Sequence, residues 1–415
     1  MYPNEHRVIM TGIHSGKKRF IEEFHRGRLP ETLAYLTDKK GAFFSNQDLD
    51  KFIDEEELHD RKILTDDPKT PLKNMSGGEQ RRALLNYLLS QKPDYLVLDN
   101  PFDHLDKLAV KDFKERLHQV SSEVILIMLL NRTGDIPAFI SVKLYLQQGI
   151  PRTDPADEQH LTFDSSEGIP APVHPIKNEE ETLVDFRNIH VSYGDRTILD
   201  NINWTIKKGE FWHLMGGNGT GKTTLMNMVT GDNPKGFGQE LYIFGKRKGS
   251  GESVWDLKRS IGIFTPKLTQ RFKGRPTISQ MITGGFHDSV GLYQVPSELE
   301  KEVTRKWVKL LGMEKKADSC FQDLGEVEQR LIMIARAMVK HPPLLILDEP
   351  TTDLDDQAAA LVVKLVNEFA RHSTSAVVYI SHRDEEGLLP QLSLELMPSE
   401  SGSQGKITEH KNIRT

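Results

Sequence analysis

The sequence predicts an α/β protein made of two tandem, related domains, and three observations support this class. Short apolar runs, such as residues 124–130, have the length of buried strands. In each half of the chain one such run leads through a Gly-rich turn into a helix. A segment that begins at Pro93 returns, with most residue types kept, from Pro342 onward.

Size and composition narrow the class further. With 415 residues and 47.2 kDa, the chain can form two or three domains that each bury a core. Charged residues make up 27% and hydrophobic residues 37%, a balance typical of globular proteins. The net charge of −6, without a dense Lys/Arg block, argues against a nucleic-acid partner.

The cellular setting is also predicted from residue types. Cys320 is the single cysteine, so no intramolecular disulfide can form, and a reducing compartment is expected. The apolar run at 124–130 is too short for the roughly 20 residues of a membrane span. Because the first residues also lack the pattern of a secretory or transit signal, we expect a cytoplasmic protein, possibly peripheral to a membrane.

The internal repeat has a constant offset over its later part. Asp99 and Glu79 return as Asp348 and Glu328, each 249 residues later. The earlier GKK segment at 16–18 returns as GKT at 221–223, only 205 residues later. The first copy is therefore predicted to lack about 44 residues between its Gly-rich loop and its second motif.

These offsets predict four segments. Residues 1–150 form a shortened, degenerate first domain, and residues 183–398 form a complete second domain. Residues 151–182, rich in proline, acidic and small residues, are expected to be a linker. Residues 399–415 are expected to be a flexible tail because they begin as a low-complexity polar stretch.

In the second half, the apolar strand at 211–215 leads directly into GGNGTGKTT. This is a G-x-x-x-x-G-K-[ST] motif between a strand and a helix, whose backbone N–H groups can cradle phosphate at a helix N-terminus. Lys222 is expected to reach the β- and γ-phosphates of a nucleotide, and Thr223 to bind Mg²⁺. The predicted phosphate-binding residues are Gly216, Gly217, Asn218, Gly219, Thr220, Gly221, Lys222, Thr223 and Thr224.

Three further positions of the second half complete a nucleotide site. Asp348 and Glu349 follow a buried strand, so the first can hold Mg²⁺ and the second can act as general base on a water. His382 follows the next strand and could bind the γ-phosphate and that water. Tyr193, upstream of the loop, offers a ring on which adenine could stack, although packing within a sheet is the alternative explanation.

The motifs, in this order and spacing, resemble the Walker A, Walker B, switch-histidine and adenine-stacking elements of ABC (ATP-binding cassette) ATPases. The resemblance covers nearly the whole chain, and it implies ATP and Mg²⁺ as cofactors. Three phrases, at 249–264, 284–294 and 341–350, more narrowly resemble ModF-type twin-cassette proteins, which are linked with molybdate uptake.

The first half departs from the ABC pattern at its own phosphate loop. Thr11 stands in place of the first glycine, and Lys18 replaces the Mg²⁺ ligand. Asn100 follows Asp99 in place of a base, and Asn131 stands at the histidine position. We therefore expect no hydrolysis at this loop. The first half nevertheless carries a good ABC signature, for which the predicted ATP-binding residues are Ser76, Gly77, Gly78 and Glu79.

In the second half the signature is the damaged element. Glu326 places a negative charge where a γ-phosphate should approach, and Val327 is expected to add bulk there. ABC cassettes, as the resemblance implies, pair head to tail, with each ATP between one cassette's Walker motifs and the other's signature. Such pairing within this chain predicts one complete ATPase site and one degenerate site.

Two biological roles remain open at this point. The first is a peripheral ATPase of a membrane importer, and the second is a soluble switch acting on a cytosolic complex. Transporter cassettes usually carry a coupling glutamine after the strand at 261–264, whereas this chain has Lys267 near that place and Gln270 later. No residue identifies the transported or remodelled substrate.

Overall fold

The computed structural model describes residues 5–12, 15–59, 61–65, 71–155, 163, 168–176, 179–251, 253–269, 272, 274–288 and 295–410. By its internal contacts the chain divides into two units. The first comprises Met1–Gln159 with Asp353–Gln357, and the second comprises His160–Thr352 with Ala358–Thr415. None of the helices in these described ranges combines the length and apolar character needed to cross a bilayer.

The first unit alternates short strands with helices. In chain order its elements are β1 (Arg7–Met10), α1 (Lys17–His25), β2 (Gly41–Phe44), α2 (Asn46–His59), α3 (Gly77–Ser90), β3 (Tyr95–Asp99), α4 (Lys107–Val120), β4 (Ile125–Leu130), β5 (Val142–Gln147) and β6 (Ile150–Arg152).

One six-stranded sheet of order β2-β3-β4-β1-β5-β6 organises this unit. All neighbouring pairs are parallel except β5 and β6, which form a hairpin. Alternate residues of β4 enter two separate cores, with Ile127 on one face and Met128 on the other, both fully buried. Burial on both faces explains why the β4 sequence is an unbroken apolar run.

The second unit contains more elements. They are β7 (Thr182–Tyr193), β8 (Arg196–Lys207), β9 (Phe211–Gly216), α5 (Lys222–Thr230), β10 (Glu240–Ile243), β11 (Lys246–Arg247), α6 (Val254–Ser260), β12 (Ile261–Phe264), α7 (Pro266–Thr269), α8 (Ile278–Thr283), α9 (Glu298–Leu310), α10 (Glu326–Met338), β13 (Leu344–Asp348), α11 (Asp356–His372), β14 (Ala376–Ile380), β15 (Leu392–Met397) and β16 (Gln404–Glu409).

Two sheets form the second unit. A four-stranded antiparallel sheet has the order β11-β10-β7-β8, and a six-stranded sheet has the order β12-β13-β14-β9-β15-β16. A shared core fills the space between them, and in it Trp204 stacks on Phe186 at 5.6 Å and meets Trp212 edge-on at 5.5 Å. The helices between β12 and β13 form the helical subdomain, and α2 and α3 are its shorter counterpart in the first unit.

The six-stranded sheets of the two units have the same topology, with β2-β3-β4-β1-β5-β6 corresponding to β12-β13-β14-β9-β15-β16. The backbone repeats as well. Left-handed residues other than glycine occur at Lys92, Asn100 and His104, and again at His341, Glu349 and Asp353, at the offset of 249 found in the sequence. The predicted α/β class with two tandem domains is confirmed. The antiparallel sheet is described only in the second unit.

Two predicted boundaries differ from the structure. Residues 399–415 were expected to form a flexible tail, but β16 pairs with β15 over six residue pairs, from Leu392↔Glu409 to Met397↔Gln404, while residues 411–415 lie outside the described residues. The polar composition suggested a flexible segment, but an edge strand pairs through backbone hydrogen bonds and its side chains can remain polar and exposed. The predicted linker also begins too early, since residues up to Arg152 belong to β6.

Ending the chain after Pro398 should destabilise the second unit. The loss of β16 leaves the edge of β15 unpaired and removes the bridge between Ser403 and Leu199 of β8. We expect the midpoint of thermal unfolding to fall by at least about 5 °C, as measured by circular dichroism. A chain that ends after His410 keeps the whole strand and is the control. Equal midpoints for the two truncations would contradict the pairing.

Candidate functional site

The phosphate loop of the second unit connects β9 to α5. Two of its glycines have left-handed backbone angles, with φ of 74° at Gly219 and 101° at Gly221. A Cβ at Gly221 would lie 2.5 Å from Leu199 Cδ2 of β8, so no larger residue fits. Lys222 is 8% exposed, and its Nζ donates to the carbonyl oxygens of Gly216 at 2.7 Å and Gly217 at 2.9 Å.

The remaining loop residues take different positions. Thr220 is buried, and its hydroxyl donates to the Gly217 carbonyl at 2.9 Å, which tightens the turn. Asn218 and Thr223 are exposed, and Thr224 is half-buried in the first turn of α5. Thr223 is therefore accessible to a ligand at the helix N-terminus, where Mg²⁺ binding was predicted.

The predicted acidic and histidine residues meet at one edge of the parallel sheet. Register places Asp348 of β13 beside Ile380 of β14, and Ile380 beside Leu214 of β9. The residues that follow these strands are therefore neighbours, and His382 Nδ1 lies 2.9 Å from each carboxylate oxygen of Glu349.

Hydrogen bonds determine which nitrogen of His382 carries its proton. Arg383 Nε donates to Nε2 of His382 at 3.3 Å, so Nε2 accepts and Nδ1 donates to Glu349. The Thr352 hydroxyl also donates to Glu349 Oε2 at 3.0 Å. The carboxylate of Glu349 is thus held from two sides.

The two adjacent carboxyl groups have opposite pKa shifts. Burial, together with the charge of Glu349, raises the pKa of Asp348 to about 6, against the opposing charges of Lys222 and Lys267. For Glu349, burial alone would raise the pKa, but the hydrogen bonds from His382 and Thr352 and the charge of Lys222 outweigh it and lower the pKa. Glu349 is therefore ionised at neutral pH and able to accept a proton.

Tyr193 lies at the end of β7 and is 47% exposed. Its register partner Arg196 extends toward the phosphate loop, with one guanidinium nitrogen 3.9 Å from the position that a Cβ of Gly219 would occupy. The Tyr193 hydroxyl accepts a hydrogen bond from Asn233 Nδ2 at 2.7 Å. A half-exposed ring on this side of the loop is compatible with the predicted stacking.

In the first unit, the predicted signature residues begin α3. Ser76 is the N-cap of the helix, and its hydroxyl accepts from Glu79 N at 3.3 Å while Glu79 Oε2 accepts from Ser76 N at 2.8 Å. A Cβ at Gly77 would lie 3.3 Å from the guanidinium of Arg81, which is buried and hydrogen-bonded to Asn46 and Asp103, and one at Gly78 would lie 3.5 Å from Ala109 Cβ. Packing within the unit therefore leaves room for a Cβ at Gly78, whereas a Cβ at Gly77 would press on Arg81.

The corresponding helix start in the second unit corrects one prediction. Glu326 is exposed at the start of α10, as expected for a negative charge that faces outward. Val327, however, is only 3% exposed and packs inside the unit, so it adds no bulk at the surface. The second position of the helix points toward the core, which the motif alignment did not reveal.

The phosphate loop of the first unit differs in its contacts. Lys17 forms an ion pair with Asp99, and Lys18 is exposed at the position of the missing Mg²⁺ ligand. A Cβ at Gly16 would lie 2.5 Å from Gly149 N, so the β5–β6 turn packs directly against this loop. Asn100 Oδ1 is buried and has no hydrogen-bond partner among the described residues. Ile13 and His14 lie outside the described residues.

Sequence reasoning missed several residues that contact the site. Asn233, Thr352 and Arg383 each bond a predicted site residue, yet none of the three was itself predicted to belong to the site. Only Asn233 had a local signal, because an Asn-Pro pair favours a turn with a side-chain cap. Among the described residues no group of three or more His, Cys, Asp or Glu forms a metal cage. A Mg²⁺ site that relies on one or two carboxylates and phosphate oxygens needs no such cage.

Comparisons with known proteins agree with this geometry. Residues 199–352 match the family model described as ABC transporter. The chain is 36% identical to the ABC transporter ATP-binding protein ModF of Escherichia coli K12 over 332 residues, which cover 76% of this chain and 68% of ModF. It is 31% identical to an ABC transporter ATP-binding protein of Schizosaccharomyces pombe, over 75% of this chain and 66% of that protein.

Two more distant similarities extend over more of the chain. The energy-dependent translational throttle protein EttA of Haemophilus influenzae is 24% identical over 81% of this chain and 65% of its own length. A solved archaeal ribosome recycling factor, aABCE1 in complex with the stalk protein aP1, has a TM-score of 0.58 at 15% identity, covering 96% of this chain and 84% of that one. That structural likeness supports the fold alone. With its motifs, its fold and the extent of its similarity to ModF, the chain belongs to the ABC superfamily of ATP-binding proteins.

Proposed function

We propose that the chain hydrolyses ATP at one composite site, formed by the Walker motifs of the second cassette and the signature of the first. The observation that carries this proposal is the ionised, hydrogen-bonded Glu349 beside His382, at the sheet edge that also bears the phosphate loop. The first cassette has asparagine at both of these positions, Asn100 and Asn131, and therefore has no general base there.

The residues of the second cassette fit ATP and Mg²⁺. Glycines leave the backbone N–H groups of the loop accessible to phosphate. A Cβ at Gly216, for example, would lie only 2.7 Å from Thr220 Oγ1. Asp348 is a buried carboxyl group whose charge is disfavoured by burial and by Glu349, so a divalent cation would stabilise its ionised form. Thr223 and Asp348 would hold Mg²⁺, which neutralises phosphate charge when bound.

The chain's own groups then have distinct tasks. Lys222 exchanges its contacts with the loop carbonyls for phosphate oxygens, which carry more negative charge. Glu349 takes a proton from the attacking water, and His382 keeps the carboxylate oriented during that transfer. Tyr193 offers its exposed ring to adenine.

The signature residues contribute from the other cassette in this proposal. Ser76, Gly77 and Gly78 start a capped helix whose N–H groups can bind the γ-phosphate, and Glu79 completes the cap. Packing within the first unit does not require glycine at position 78, so a closely approaching ligand gives a reason for Gly78. The reverse pairing joins the first phosphate loop with exposed Glu326 and is expected to be inactive.

Two substitutions test the assigned roles in the second cassette. Glu349→Gln removes the base but keeps the phosphate cradle, so we expect ATP binding to persist while turnover falls about 10²- to 10⁴-fold. Lys222→Ala should lose hydrolysis because the phosphate charge is no longer balanced. Steady-state phosphate release and binding of a fluorescent nucleotide are the measurements. Near-normal turnover in Glu349→Gln would reject this residue as the base.

Substitution at the signature tests the composite site. Gly77→Asp brings a carboxylate toward phosphate, and ATPase activity should fall at least about a hundredfold. Gly77→Ala adds the same Cβ, 3.3 Å from the Arg81 guanidinium, without the carboxylate, so it separates the effect of charge from that of the added Cβ. Glu326→Gly, at the matching position of the second cassette, should change the rate far less because it faces only the inactive loop.

All three variants are to be compared by steady-state ATPase rate, with circular dichroism to establish that each is folded. A folded Gly77→Asp protein with full activity would overturn the composite site. A large effect of Glu326→Gly would show that the pairing has been assigned the wrong way round.

For the biological role, we propose a peripheral ATP-binding subunit of an importer, with molybdate as the candidate substrate. The identity of 36% to ModF, an ABC transporter ATP-binding protein, supports this choice. The second candidate is a soluble switch on a cytosolic complex. It is supported by Lys267, which stands near the place where transporters usually have glutamine, and by the similarity to EttA over 81% of the chain. Gln270 lies outside the described residues.

Affinity purification of the tagged chain from its own cells, with and without detergent, distinguishes the two roles. The importer role predicts a stoichiometric membrane permease that is recovered only when detergent is present. Recovery of ribosomes or another soluble complex in both conditions would favour the switch and would reject the importer.

A further inference from the structure

The ring of Tyr193 is held from two directions inside the second unit. Its hydroxyl accepts the 2.7 Å hydrogen bond from Asn233 Nδ2. The ammonium of Lys235 lies 5.4 Å from the ring centroid, over the ring. The hydroxyl is thus hydrogen-bonded and a cation lies over the ring. Tyr193 is nevertheless 47% exposed, which leaves surface for a flat ligand.

Asn233 is itself firmly fixed. It is 9% exposed, and its backbone N donates to the Asn227 carbonyl at 2.9 Å, which ties it to the C-terminal part of α5. Its side-chain oxygen accepts from Lys235 N at 2.9 Å and caps the short turn at Pro234–Gly236. The amide nitrogen is therefore directed at Tyr193 by a side chain that has little freedom to rotate. Because α5 begins at Lys222, this bond links the helix that follows the phosphate loop to the tyrosine.

We propose that Asn233 is a positioning residue for the nucleobase, which fixes the Tyr193 ring through the hydroxyl while Lys235 covers the ring from its own side. The ring is then ordered before a nucleotide binds, so stacking loses less conformational entropy. This inference rests on the proposed ATP site, and it concerns the nucleobase alone. Asn233 acts through Tyr193 and touches no reacting group.

The test is a double-mutant cycle in the full chain. Tyr193→Phe removes the hydroxyl and keeps the ring, whereas Asn233→Ser keeps a side chain that can cap the turn and removes the amide donor. Each should weaken Mg²⁺-ATP binding about fivefold, measured by calorimetry, and the double variant should be no weaker than either single one. Tyr242→Phe, on β10 of the same sheet, is the matched control and should bind normally.

Magnesium tripolyphosphate, which lacks a nucleobase, distinguishes a nucleobase contact from a general structural effect. A variant that damaged the whole site would weaken the binding of both ligands, whereas loss of the nucleobase contact weakens only the binding of ATP. Competition of magnesium tripolyphosphate against a fluorescent nucleotide analogue gives an affinity that should be equal in wild type and in each variant. Where turnover is measured, the same variants should raise KM for ATP and leave kcat unchanged, because a base contact is equally strong in the ground and transition states.

The outcomes are separable. Additive losses in the cycle, unchanged ATP affinity in Tyr193→Phe, or equal losses for ATP and tripolyphosphate would each overturn the role of Asn233. Tyr193→Ala tests the underlying site and should weaken ATP binding about 5- to 150-fold through lost stacking. If that variant binds ATP normally, adenine does not stack on Tyr193, and the proposed role of Asn233 is then rejected as well. If only the double-mutant cycle gives the contrary result, the role of Asn233 is rejected and the stacking of adenine on Tyr193 is kept.

Discussion

Three neighbouring parallel strands, β13, β14 and β9, end at one edge of a sheet, and the arrangement of the second cassette depends on that constraint. Parallel pairing brings the carboxyl ends of strands together, so residues that are far apart in sequence become neighbours there. Glu349 and His382 bond across 33 residues for this reason, and Lys222 follows on the adjoining strand and loop. Most residues of these strands are buried, and the residues at the carboxyl ends of β9 and β13 are half-buried at the site.

Backbone strain marks the same edge. Glu349 adopts a φ of 49°, a left-handed conformation that costs about 1–3 kcal/mol for a residue with a Cβ, and its N–H is held by the Ile380 carbonyl at 2.9 Å. Asn100 occupies the equivalent place with a φ of 41° and an N–H bond of 3.0 Å to the Leu129 carbonyl. Asparagine tolerates this conformation better than glutamate does. Both cassettes thus have this turn, and its backbone strain is smaller at Asn100 in the first cassette than at Glu349 in the second.

Much of this arrangement was predictable from sequence. The repeat offset of 249 predicted the corresponding strands, and the Gly-Lys-Thr motif predicted the start of α5, because both depend on local pattern. The pairing of β16 and the inward direction of Val327 were not predicted, since each depends on neighbours distant in sequence. The pKa of Asp348, raised to about 6, likewise depends on burial and on adjacent charge, which no motif encodes. Asn233 was missed because its partner lies 40 residues away.

The turn between β5 and β6 packs against the phosphate loop of the first unit at Gly16, the glycine that corresponds to Gly221. In the second unit, Gly221 rests on Leu199 of the antiparallel sheet, whereas in the first unit Gly16 rests on Gly149 of this hairpin. A two-residue turn thus provides the support that a whole sheet provides elsewhere. The glycine before the loop lysine therefore has a close neighbour in both units, and a side chain at either position would displace the phosphate loop from the helix that follows it.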